Sequence, residues 1–165
     1  MKVCDIMTTE VICCRADTNL AAAADLMWAH DCGVLPVTDD GKLSGIITDR
    51  DICIALGTKN RRATEVAAGE VARQDVHVCA PEDDISSAMV LMRKFQVRRL
   101  PVVTDGKVAG VLALNDIVAA VDARSTLSAS EVMDTLKSVG ERRIPRAARA
   151  AAGPATWPPI PVVVA

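Results

Sequence analysis

Tyrosine is absent from this 165-residue chain, and its aromatic complement is one Phe and two Trp. Proteins that hold single-stranded nucleic acid stack bases on aromatic rings, so the composition argues against that class. The charge balance agrees: 19 basic and 21 acidic residues leave a formal net charge of −2, with no basic excess to grip a phosphate backbone. Long apolar runs are missing as well. No window reaches the ~18 to 20 apolar residues that span a bilayer, and the opening MKVCDIMT lacks the apolar core of a signal peptide. A soluble, cytoplasmic protein is expected, with neither a membrane nor nucleic acid as its main partner.

Catalytic signatures are equally scarce. There is no G-x-S-x-G, no P-loop, no Rossmann glycine triplet and no pair of acids at a catalytic spacing. His30 and His77 are the only histidines, and neither has a motif partner for metal binding or nucleophilic catalysis. The six cysteines, at positions 4, 13, 14, 32, 53 and 79, never form C-x-x-C or stand in a zinc-like pattern with His. They read as reduced, packing thiols at places where Val or Ala could stand. Neither an enzyme nor a metal site is expected.

What the chain does contain is an internal repeat. Leu35-Pro36-Val37 recurs as Leu100-Pro101-Val102, Asp40-Gly41-Lys42 as Asp105-Gly106-Lys107, and Asp51-Ile52 as Asp116-Ile117, each pair 65 positions apart without a gap. Within each copy, short β-prone runs at 11–14 and 76–79 precede a helix. Asp17 or Thr18 is expected to cap the first helix and Asp83 or Asp84 the second. Leu20, Ala23, Ala24 and Met27, and later Ile85, Ala88, Met89, Met92 and Phe95, fall at helical spacing and mark core faces. Two apolar strands joined by Asp-Gly then predict a hairpin, since that turn requires positive φ. The segment TEVAAGEVAR over 64–73 reads as a short capped linker helix and 130–139 as another helix. From 144 onward a Pro/Ala-rich tail shows no amphipathic period.

The run G-I-I-T-D-R-D over 45–51 feeds a strand directly into a helix. Thr48 falls at N-cap and Asp51 at N3, the spacing of a capping box. The same geometry offers an exposed carboxylate that could accept hydrogen bonds from vicinal sugar hydroxyls, beside a helix N-terminus that attracts phosphate.

Together the D-I-M-T opening, the capped helix, L-P-V, the D-G turn and G-I-I-T-D-R-D resemble the CBS domain, named after cystathionine β-synthase. The tandem resembles a CBS pair over about 1–121. The resemblance implies an α+β fold of two pseudo-twofold-related β-α-β-β-α repeats packed through their sheets. Its divisions would be 1–60, 61–124 with the linker helix, a C-terminal helix over 125–143 and the tail over 144–165. It also implies two clefts for an adenosine-containing ligand such as AMP, ADP, ATP, S-adenosylmethionine or NAD, with no cofactor required. In the first cleft Asp51 would take the ribose hydroxyls and Thr48 would lie near ribose or phosphate. Arg98, Arg99 and Pro101 would join them, with the strand around Val76, His77 and Val78. The second, weaker cleft would combine Asp116 with Gly33, Val34 and Pro36, and it lacks the hydroxyl because Ala113 replaces Thr48. A homodimer through the helices and a regulatory role toward an effector protein are also implied. The alternative reading is a constitutive dimeric interaction module with no ligand, in which Thr48 and Asp51 only cap a helix.

Overall fold

The computed structural model describes residues 1–121 and 127–141; the tail predicted from 144 onward lies outside them. In the first half, β1 (Cys14–Arg15) leads to α1 (Leu20–Ala29), β2 (Val34–Asp39), β3 (Lys42–Thr48) and α2 (Asp49–Thr58). The second half follows with α3 (Ile85–Phe95), β4 (Arg99–Thr104), β5 (Lys107–Ala113) and α4 (Leu114–Ala119), and α5 (Ala129–Gly140) closes it. The fold is α+β, as expected.

Both hairpins are antiparallel. Their turns place Asp40 and Gly41 at φ 47° and 75°, and Asp105 and Gly106 at 52° and 80°. Two successive positive φ values suit the twist of the flanking strands, and glycine takes the second without Cβ strain. Even the register shifts repeat, at Val37/Thr38 and Val102/Val103.

The leading strands are shorter than the sequence suggests. Only Cys14 and Arg15 pair with β2, opposite Val37 and Thr38, and in the second half Cys79 alone bridges to Val102. Tight turns upstream, closed by Val11 N–H to Thr9 O and Val76 N–H to Gln74 O, each 3.0 Å, carry the chain toward the opposite half. Residues 1–8 pack on the second half: Val3 and Cys4 donate to Asp83 O and Pro81 O, and Thr8 and Val111 exchange both backbone bonds. Residues 66–73 repeat this on the first half, with Ala68 and Gly69 donating to Thr18 O and Ala16 O, and Ile46 and Arg73 exchanging theirs. This traffic corrects the helix expected over 64–73 to two 3-10 turns, Ala63–Glu65 and Ala68–Glu70. Ala68, Gly69 and Arg73 N–H bond outward to the first half, which leaves Glu70, Val71 and Ala72 to close only short turns, and Gly69 lowers the helical preference further.

Two cores result. Leu20, Ala23, Leu35, Val37 and Ile47 enclose Val66 and Ala68, while Ile85, Met89, Met92, Leu100 and Leu112 enclose Val3. Cys14 and Cys79 take equivalent places in them, 3% and 4% exposed. Burial pushes each thiol up to about 11, so both are packing groups rather than nucleophiles. The sheets meet where β3 touches β5 and Leu43 N–H donates to Gly106 O at 2.9 Å.

The caps differ from expectation. Asn19 caps α1 by accepting from Ala22 N–H, because Thr18 is already engaged by Arg15 N–H. Asp84 stands at the N-cap of α3 without a side-chain bond, while Asp83 accepts from Ala80 N–H. The halves also differ in cover. Helix α5 lies against α3, where Arg93 donates to the buried Thr135 hydroxyl at 2.8 Å. Trp28, the counterpart of Arg93, has no such cover and is 87% exposed.

Candidate functional site at the Thr48–Asp51 turn

Thr48 ends β3 in an extended conformation (φ −117°, ψ 161°), and α2 starts at the next residue. Its hydroxyl oxygen accepts from Asp51 N–H at 3.2 Å, and Asp51 Oδ2 accepts from Thr48 N–H at 3.1 Å, completing the predicted capping box. The Thr48 hydroxyl donates to the same Oδ2 at 2.6 Å. The other oxygen, Oδ1, accepts from Arg73 Nη2 at 2.8 Å and Nε at 3.3 Å. Asp51 is therefore not the exposed carboxylate expected: it is 9% exposed and has four donors around it.

Gly45 begins the motif because the crossing segment leaves no room for a side chain there. A Cβ would stand 3.1 Å from both Ala72 Cβ and Arg73 O. That close approach is what delivers the Arg73 guanidinium to Asp51.

Burial acts to raise the Asp51 carboxyl, but the Thr48 hydrogen bonds and the Arg73 guanidinium outweigh it and hold the group below its ordinary value. A carboxyl depressed in the folded state stabilises the fold above the unfolded value, near ~4, and this contribution is lost as pH falls through the folded value. Melting curves from about pH 7 to about pH 3 are expected to show a steeper acid limb in the wild type than in Asp51→Asn. Superimposable limbs would remove this role from Asp51.

At the second turn, Asp116 Oδ2 accepts from Ala113 N–H at 2.8 Å. Ala113 offers no hydroxyl, and Thr8 stands where the first turn has Arg73.

The remaining candidates are distributed by hairpin pairing. Val34 lies opposite Thr48, Pro36 opposite Ile46, and Gly33 O accepts from Asp49 N–H at 3.3 Å. Arg99 lies opposite Ala113, Pro101 opposite Val111, and Arg98 O accepts from Leu114 N–H at 2.9 Å. In backbone register, then, Gly33 and Val34 lie beside the Asp51 turn and Arg98 and Arg99 beside the Asp116 turn. The physical reason is that each L-P-V strand pairs with the strand leading into its own helix. The cation that reaches Asp51 is Arg73, which the sequence reading did not single out. Val76 is half-buried and Val78 40% exposed. His77 stacks on Phe95 with ring centroids 3.4 Å apart.

A cavity of about 380 Å³ opens beside the first turn, with Asp31 and Asp49 as its charged lining. Its counterpart of about 280 Å³ beside the second turn is lined by Arg98 and Arg99 and closed by Leu136 and Val139 of α5. Among the described residues, no three His, Cys, Asp or Glu side chains gather as a metal site, and no helix is long and apolar enough to cross a membrane.

Comparison with known proteins agrees with the repeat. The CBS domain family model matches twice, at residues 3–58 and 68–123. Hypoxic response protein 1 of Mycobacterium tuberculosis is 38% identical over 117 residues, which cover 68% of this chain and 80% of the relative. The crystal structure of Hypoxic Response Protein I with two coordinated zinc ions superposes with a TM-score of 0.68 at 32% identity, covering 74% of this chain and all of that one. The CBS domain pair of protein MJ0100, in complex with 5′-methylthioadenosine and S-adenosyl-L-methionine, gives a TM-score of 0.65 at 27% identity and covers 72% and 94% of the two chains. A duplicated hairpin-and-helix unit, a capped Thr-x-x-Asp turn in the first copy and two family matches at the 65-residue offset lead to one assignment: the chain belongs to the CBS-domain family, as a tandem pair.

Proposed function

We propose that this CBS pair is a regulatory, non-catalytic module that binds an adenosine-containing ligand at the Thr48–Asp51 turn. One observation carries the reading: a carboxylate is fixed at the N-terminus of α2, bonded to Thr48, and contacted by a cation from the segment that crosses between the halves. Vicinal ribose hydroxyls are matched donors for such a carboxylate, and a helix N-terminus favours a nearby anion. The adenosine compounds held by the MJ0100 pair support the same ligand class. Sensing requires in addition that the bound ligand prefer one arrangement of the halves over another.

Titration calorimetry against AMP, ADP, ATP, S-adenosylmethionine and NAD tests the reading. Saturable binding of at least one compound is expected, weakened about 100-fold by Asp51→Ala through loss of two charge-assisted hydrogen bonds, and weakened less by Asp116→Ala. Absence of heat for every compound at millimolar concentration, with an unchanged melting temperature, would leave the pair as a ligand-free interaction module.

A further inference from the structure

We infer that Arg73 makes the Asp51 turn selective for adenosine compounds that carry a phosphate; the inference rests on the adenosine reading above. A carboxylate offers about four acceptor positions, and at Asp51 Thr48 N–H, Thr48 Oγ–H, Arg73 Nε and Arg73 Nη2 use all of them. A ribose that bonds this group must displace a donor. Thr48 N–H cannot leave without uncapping α2, and the Thr48 hydroxyl is pinned because its oxygen also accepts from Asp51 N–H. Arg73 is the donor free to go, since its side chain is 61% exposed against 10% for Asp51.

The Arg73 backbone cannot follow its side chain. It stays bonded to Ile46 in both directions, at 2.9 and 3.0 Å, so a displaced guanidinium remains within side-chain reach of the turn. An uncharged nucleoside breaks the ion pair and gives nothing in return. A phosphate on the same nucleoside supplies a planar fork with a bidentate partner, so one charged pair is exchanged for another. At the second turn Thr8 stands at the position equivalent to Arg73.

The test measures dissociation constants for AMP and adenosine in an Asp116→Asn background, which keeps the helix cap while muting the second turn. With Arg73 present, AMP is expected to bind at least about 10-fold more tightly than adenosine. In Arg73→Gln and in Arg73→Thr, which copies the residue used at position 8, AMP should weaken while adenosine holds or tightens, bringing the ratio close to unity. Melting temperatures identify any variant that fails to fold, and the second substitution then decides. A ratio unchanged by both substitutions, or an equal loss for both compounds, overturns the inference and leaves the adenosine reading standing. Failure of both compounds to bind with Arg73 intact also overturns the inference, and the five-compound calorimetry above then decides the adenosine reading separately.

Discussion

Deleting residues 1–8 is expected to open the second half of the chain while the first keeps most of its protection. Val3 is fully buried in the second core, and burying a Val side chain is worth about 1.5–3 kcal/mol. The same segment satisfies Asp83 O, Pro81 O, Ile85 N–H through Met1 O, and both backbone groups of Val111, each bond adding about 0.5–1.5 kcal/mol. A loss on the order of 5 kcal/mol is a large share of the ~5–15 kcal/mol by which a domain is stable. Removing the segment also bares the edge of β5, an open template for association. Hydrogen exchange followed by mass spectrometry reads the outcome directly: protection should fall over α3, β4 and β5 more than over α1, β2 and β3. Loss confined to the first half, where the sequence places these residues, would contradict the crossing.

Replacement of Gly110 by Ala is expected to cost about 2–3 kcal/mol, as overpacking of a close-packed contact does. A Cβ there would stand 2.8 Å from both Met7 Sδ and the backbone oxygen of Thr8. The thioether could rotate away, but the carbonyl is tied to Val111 N–H at 2.9 Å, so the whole segment would have to move. Gly57 provides the control, because it lies in α2 and a Cβ there would meet nothing within 4 Å. Gly57→Ala is therefore expected to stabilise the protein by about 0.5–1 kcal/mol through helix propensity. Urea midpoints at constant slope separate the two, and a Gly110→Ala midpoint equal to the wild type would show that the first eight residues do not press on β5.

Much of the fold was legible because its signals are local. Asp-Gly between apolar runs encodes the hairpins, helical spacing picks out Leu20, Ala23 and Met27, and the 65-residue offset makes each half corroborate the other. The Thr48–Asp51 turn was legible for the same reason, since its hydrogen bonds join residues three apart. Arg73 was not, because its partner lies 22 positions away and the pairing depends on which half the linker joins. A signal existed: the gapless offset places Glu70-Val71-Ala72-Arg73 on Asp5-Ile6-Met7-Thr8. Hydropathy alone does not say that such a segment crosses over. The same blind spot produced the helix expected over 64–73, where Ala68 and Gly69 N–H donate to Thr18 O and Ala16 O while Glu70, Val71 and Ala72 close only short turns.

The crossed segments also impose an order on synthesis. The first core closes only after Val66 and Ala68 have left the ribosome, well beyond the end of α2. The opening residues wait longer still, because the partner of Thr8 is Val111. At about 5–20 residues per second this leaves them unpaired for on the order of 10 s, a window in which the segment, and not yet the β5 edge, is open to capture.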